Sequence, residues 1–121
     1  MKNPVVHFEI RSQDPAALRD FYSSLFDWKI DVGVNDYGLV TTRAKDDPAG
    51  IDGGITGTDG DSSLVTFYAQ VDDIDTSLQK AVDLGATVIL PVTTIPKSAT
   101  FALFADPQGN CIGIVASQIP D

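Results

Sequence analysis

Two stretches of this chain repeat one another 59 residues apart. Asp47-Pro48-Ala49-Gly50 and Asp106-Pro107-Gln108-Gly109 share Asp, Pro and Gly in the same order, and each leads into a Gly-Ile pair, Gly54-Ile55 and Gly113-Ile114. Sliding residues 5–62 onto 64–121 without a gap aligns eleven identical pairs, from Val6/Val65, Phe8/Phe67 and Asp14/Asp73 through to Ile55/Ile114. Self-similarity at a fixed offset along almost the whole chain is what a duplicated unit produces, and two copies are too few for a solenoid. The expectation is one domain of two modules, 4–58 and 64–117, joined by a linker at 59–63. A chain of 121 residues suffices for one core but not for two independent ones.

Each module reads as βαβββ. Val6, Phe8 and Ile10 alternate with His7, Glu9 and Arg11, the pattern of a strand with one apolar face. Asp14 is placed to cap a helix that Pro15 opens, with Ala17, Leu18, Phe21, Tyr22 and Leu25 at helical spacing. Strands are expected around Trp28–Val32, from Gly38 to Ala44, and through Gly54-Ile55. The second copy repeats the order. Val65, Phe67, Ala69 and Val71 share one strand face, Asp73 or Asp75 caps a helix with Ile74, Leu78, Ala81 and Val82 inward, and Gly85 ends it. Strands then follow at Thr87–Val92, Thr100–Ala105 and Asn110–Ala116. A four-stranded sheet with a single helix has two faces and one cover. Two such sheets curling around a shared hollow give an α+β fold with a cupped mixed sheet. A hollow between repeats is where a small ligand is expected.

Composition removes several alternatives. A net charge of −9 with scattered Lys and Arg repels phosphates, so no nucleic-acid partner is expected. The same charge serves solubility and favours the approach of a cationic ligand. The apolar runs are too short to span a bilayer, and the N-terminus lacks the pattern of a secretory leader, so no membrane partner is expected. One cysteine, Cys111, permits no intrachain disulfide, and a reduced cytoplasmic setting is the simplest reading. The glycines of "GIDGGITGTDGDSS" lack the lysine and the spacing of a phosphate-binding loop.

The stretches "VVHFEIRSQDPAALRDFYSSLFDW", "VDDIDTSLQKAVDLGATV" and "FADPQGNCIGIV" together resemble the vicinal oxygen chelate superfamily, which includes glyoxalase I, bleomycin-resistance proteins and extradiol dioxygenases. The resemblance covers essentially the whole chain. It implies one divalent ion in the cleft of the metal-dependent relatives, held by residues on the first and last strands of each module. Those positions fall here on His7, Gly54, Thr66 and Gly113. Glycine offers no donor, and His7 with Glu9 two residues along the strand makes a weak site beside the three or four ligands zinc prefers. The expectation is therefore no metal cofactor, with His7 a remnant ligand; one divalent metal is the alternative.

The remaining site candidates follow from strand parity and from the resemblance. His7 is the only histidine and suits general acid or base catalysis, with Glu9 to orient it; a residual hydrogen-bonding role is the alternative. Thr66, Tyr68 and Gln70 share a face of the fifth strand. Tyr68 suits stacking on an aromatic ligand and equally suits packing. Trp28 and Phe104 border the cleft or belong to the core. Cys111 faces inward with Gly113, and no cationic neighbour in sequence activates its thiol. Gly54 and Gly113 either let a ligand lie against the backbone or serve a bulge.

The function expected is binding of a small organic molecule, aromatic or cationic, in the cleft without a metal, as the bleomycin-resistance branch implies. That branch also implies a homodimer. The alternatives are a metal-dependent lyase or isomerase of the glyoxalase I type, or a dioxygenase-like enzyme, and a module whose cleft serves another protein.

Overall fold

Alternating and helical periodicities place the elements in the order the sequence predicts. The computed structural model describes residues 2–58, 60 and 63–121, so most of the expected linker, 59–63, lies outside the described residues. The elements are β1 (Val5–Ser12), α1 (Pro15–Phe26), β2 (Lys29–Val32), β3 (Gly38–Thr41), β4 (Gly53–Gly57), β5 (Leu64–Val71), α2 (Ile74–Asp83), β6 (Thr87–Ile95), β7 (Ala99–Ala105) and β8 (Cys111–Ala116). The architecture is α+β with mixed sheet. None of the described helices is long and apolar enough to cross a membrane.

The chain divides into two compact units, Val6–Thr66 and Phe67–Asp121 with the first residues up to Val5. In the first, the strand order is β2-β3-β4-β1, with β1 and β4 parallel and the other pairs antiparallel. In the second it is β5-β8-β7-β6, with β5 and β8 parallel and the others antiparallel. Each unit thus shows the same strand order and the same single parallel pair.

Local chemistry sets the helix ends. Asp14 Oδ1 accepts from the Ala17 N–H at 3.1 Å, and Asp73 Oδ1 from the Thr76 N–H at 3.1 Å. Each satisfies a donor that the first helical turn leaves unpaired. Helix α2 ends in a Schellman motif. The Ala86 N–H reaches the Ala81 carbonyl at 2.9 Å and the Gly85 N–H reaches that of Val82 at 3.0 Å. Gly85 adopts φ 109°, which a side chain would disfavour.

The two Asp-Pro-x-Gly segments agree in part. Asp47 Oδ1 accepts from the Ala49 N–H at 2.9 Å, as Asp106 Oδ1 does from Gln108 at 2.8 Å, and Gly50 and Gly109 have φ 88° and 90°. The second copy closes its turn with the Gly109 N–H on the Asp106 carbonyl at 2.9 Å. In the first copy the backbone bond forms earlier, from the Asp47 N–H to the Ala44 carbonyl at 3.0 Å, and β3 stops at Thr41 short of the expected Ala44.

Burial corrects two expectations. In α1 the inward face is Pro15, Leu18, Arg19 and Tyr22, while Ala17, Phe21 and Leu25 are exposed. The pattern of apolar letters missed that an arginine stem is itself apolar and its head can find partners inside. In β5, Val71 is buried and Ala69 half-buried as expected, but Val65 and Phe67 are exposed and Thr66 and Tyr68 are buried. Helix α2 packs over β6, β7 and β8, and its core includes Val71 at the end of β5. That core is Val71, Ile74, Ala102 and Ile114, flanked by Leu78, Val92, Phe104 and Ala116. In the first unit Val40 and Ile55 are fully buried.

Candidate functional site

Strand alternation puts His7, Glu9 and Arg11 on the face of β1 opposite Phe8, whose ring packs on Trp28 at 5.6 Å. Glu9 is buried, and both carboxylate oxygens are engaged. Oε2 takes the Arg11 Nε–H at 2.6 Å and Oε1 takes the Tyr37 hydroxyl at 2.8 Å. His7 Nε2 lies 2.9 Å from the same hydroxyl oxygen. A phenol has one proton. With that proton given to Glu9, the imidazole nitrogen facing Tyr37 is an N–H donor, and Nδ1 carries the lone pair of the neutral ring. The two rings are nearly parallel, 22° apart with centroids at 6.3 Å.

Burial disfavours the charged imidazolium and lowers the pKa of His7 below its ordinary 6.5; the charges of Glu9 and Asp52 pull the other way and only partly offset this. Burial therefore favours the neutral imidazole, and the Tyr37 hydroxyl selects its tautomer.

Gly54 lies beside Glu9 in the β1–β4 register and beside Leu39 in the β3–β4 register. A Cβ on Gly54 would overlap the Tyr37 ring and hydroxyl. The close approach that the sequence suggested for a ligand is thus made by a tyrosine of the same unit. In the second unit Tyr68, paired in register with Gly113, covers that glycine in the same way, and its ring meets Phe101 edge-on at 6.1 Å.

The structure places the other candidates as follows. Thr66 and Tyr68 are buried, and Gln70 is half-buried with its N–H on the Pro4 carbonyl at 2.8 Å. Cys111 is half-buried and shares the strand face of Gly113. Trp28 and Phe104 do not belong with these residues. Trp28 stacks with Tyr22 at 5.5 Å and meets Phe26 at a tilt at 4.9 Å, on the helix side of β1, and Phe104 packs into the core under α2. Large rings are held there by the apolar area they bury. Glu9, expected to orient His7, reaches it through the Tyr37 hydroxyl. Sequence reasoning missed Tyr37 because its counterpart at the repeat offset is Pro96, so self-comparison is silent there. The one available signal was the preceding Asn35-Asp36, residues that tolerate the positive φ of 63° and 55° they adopt.

Residues 5–114 match the model of the Glyoxalase/Bleomycin resistance protein/Dioxygenase superfamily. The chain belongs to that superfamily. A Mycobacterium bovis protein named "Putative glyoxylase CFP32" is 26% identical over 111 residues, covering 88% of this chain and 42% of its own length, so this chain spans less than half of that relative. Among solved structures, methylmalonyl-CoA epimerase from Mycobacterium tuberculosis superimposes with a TM-score of 0.69 at 12% identity, over 97% of this chain and 87% of that one. A superfamily member from Vibrio splendidus 12B01 gives 0.62 at 19%, over 95% and 98%. These two likenesses show the shared fold.

The superfamily implies a divalent ion in its metal-dependent branches, and the residues present here do not fit one. Two of the four implied positions are Gly54 and Gly113, each covered by a tyrosine ring that a donor side chain would displace. His7 and Glu9 are both bonded to Tyr37. Among the described residues no group of three His, Cys, Asp or Glu side chains is placed to hold a metal ion.

Proposed function

We propose that this superfamily member binds a small organic molecule, aromatic or cationic, without a resident metal ion, and that His7, Tyr37 and Glu9 supply polar contacts to it. The observation that carries the reading is the Tyr37 hydroxyl, held 2.8 Å from Glu9 and 2.9 Å from His7 directly over Gly54. Near-parallel rings suit stacking on an aromatic ligand. The net charge of −9 favours a cationic one at long range. Two copies pairing is part of the reading, and sedimentation equilibrium tests it.

A thermal-shift screen of aromatic amines and related cations tests the binding. A true ligand raises the melting temperature in proportion to its occupancy of the folded state, and Tyr37→Phe reduces that shift. Stabilisation by divalent metal alone, or only by a protein partner, contradicts the proposal.

A second reading, an isomerase or lyase, is favoured by one observation. His7 is a neutral base fixed in one tautomer, which is what proton abstraction requires. Solvent-deuterium exchange into a bound carbonyl compound, lost in His7→Gln, would support it.

A further inference from the structure

Tyr37 can bridge His7 and Glu9 only if the backbone on both sides of it is fixed, and one buried cation touches both sides. Arg19, on the inward face of α1, is 7% exposed. Its Nη2 donates to the Asp36 carbonyl at 2.6 Å, its Nη1 pairs with Asp36 Oδ1 at 3.3 Å, and its Nε donates to the Ile55 carbonyl at 3.3 Å. Asp36 precedes Tyr37, and Ile55 follows Gly54. On the other side of Tyr37, Gly38 leaves room for the arginine. A Cβ there would come 2.7 Å from Arg19 Nε and 3.1 Å from Arg19 Cδ. Gly38 also pairs with Ile55 in the β3–β4 register. The turn entering Tyr37 has Asn35 and Asp36 at φ 63° and 55°.

Burying a guanidinium is costly unless its donors are satisfied, and an apolar residue at this helix position would bury without that cost. The three acceptors Arg19 reaches are those flanking the Tyr37–Gly54 contact. We propose that Arg19 is a positioning residue that holds the Tyr37 hydroxyl against His7 and Glu9 by tying Asp36 to Ile55. The inference rests on the reading of those three residues as the ligand-contacting group, and its test needs no ligand.

His7 is the only histidine, so its ring nitrogens give an unambiguous long-range proton–nitrogen spectrum in uniformly labelled protein. At about pH 8, where the imidazole is neutral, the native protein is expected to show one tautomer with Nε2 protonated. Tyr37→Phe removes the acceptor and yields a tautomer mixture. Arg19→Met is expected to yield the same mixture, Arg19→Lys an intermediate one, and Arg19→Met added to Tyr37→Phe no further change. Should Arg19→Met fail to fold, Arg19→Lys and Gly38→Ala, which crowds the guanidinium without removing its charge, carry the test. A folded, destabilised Arg19 variant with a native His7 spectrum would overturn the positioning role, as would effects of Arg19 and Tyr37 that simply add. A failed ligand screen would instead count against the proposed function while leaving these spectra unchanged.

Discussion

The Tyr37 ring lies across Gly54, and its hydroxyl joins His7 to Glu9 at 2.9 and 2.8 Å. A side chain at residue 54 and the tyrosine cannot both occupy this space. Gly54, the position where the resemblance implies a metal donor, is the same glycine that admits the tyrosine.

Gly54→Ala is therefore expected to overpack the site. Forcing a methyl against a packed ring costs about 1–3 kcal/mol, measured as a lower urea midpoint with an unchanged slope. Gly33 has nothing within 4 Å of where its Cβ would be, so Gly33→Ala is the control. It should stay within about 0.5 kcal/mol of the native protein.

Tyr37→Phe keeps the ring over Gly54 and removes only the hydroxyl. Glu9 Oε1 loses a donor and His7 Nε2–H loses its acceptor in a half-buried setting. The expected loss is about 1–3 kcal/mol, read by the same urea unfolding. A change near zero would mean that water replaces the hydroxyl at no cost.

The contrast between Asp14 and Arg19 shows what was legible beforehand. Asp14-Pro15 announces a helix start because capping depends on neighbours within one turn, and the cap formed as expected. The element order, the strand faces of His7 and Glu9 and the role of Gly85 were legible for the same local reason. Arg19 was not, because its partners Asp36 and Ile55 are 17 and 36 residues away. Tyr37 was hidden likewise, since the residue that corresponds to it in the β6–β7 turn is Pro96, so self-comparison gives no sign of it. Val65 and Phe67 follow the apolar alternation, yet lie exposed. By sequence Trp28 and Phe104 fit cleft and core equally, and packing decides between them.

Stability should rise with pH through the range in which His7 titrates. Its folded-state pKa lies below the unfolded value of about 6.5 because burial penalises the cation. The unfolded chain therefore binds more protons between the two values, and stability falls as pH drops from just above 6.5 toward the folded pKa. His7→Gln should flatten this part of the profile. Asp73 and Asp106 act in a separate, more acidic window. Backbone N–H groups of Thr76 and Asn110 respectively hold their carboxyls below the ordinary 3.8, so their contribution is present above 3.8 and lost on further acidification. Chemical unfolding of native and His7→Gln protein from pH 5 to 8 checks the first window.

Asp14→Ala and Asp73→Ala each remove a side-chain acceptor from a helix start. Each should lower the urea midpoint, with Asn in place of Asp retaining most of the stability. Circular dichroism during urea unfolding measures both.

Elemental analysis of protein made without a histidine tag, incubated with zinc, nickel, manganese and iron and then desalted, bears most directly on the proposal that the protein holds no metal. Far less than one ion per chain is the expected result, unchanged in His7→Ala. One tightly held ion per chain that disappears in His7→Ala would contradict the account.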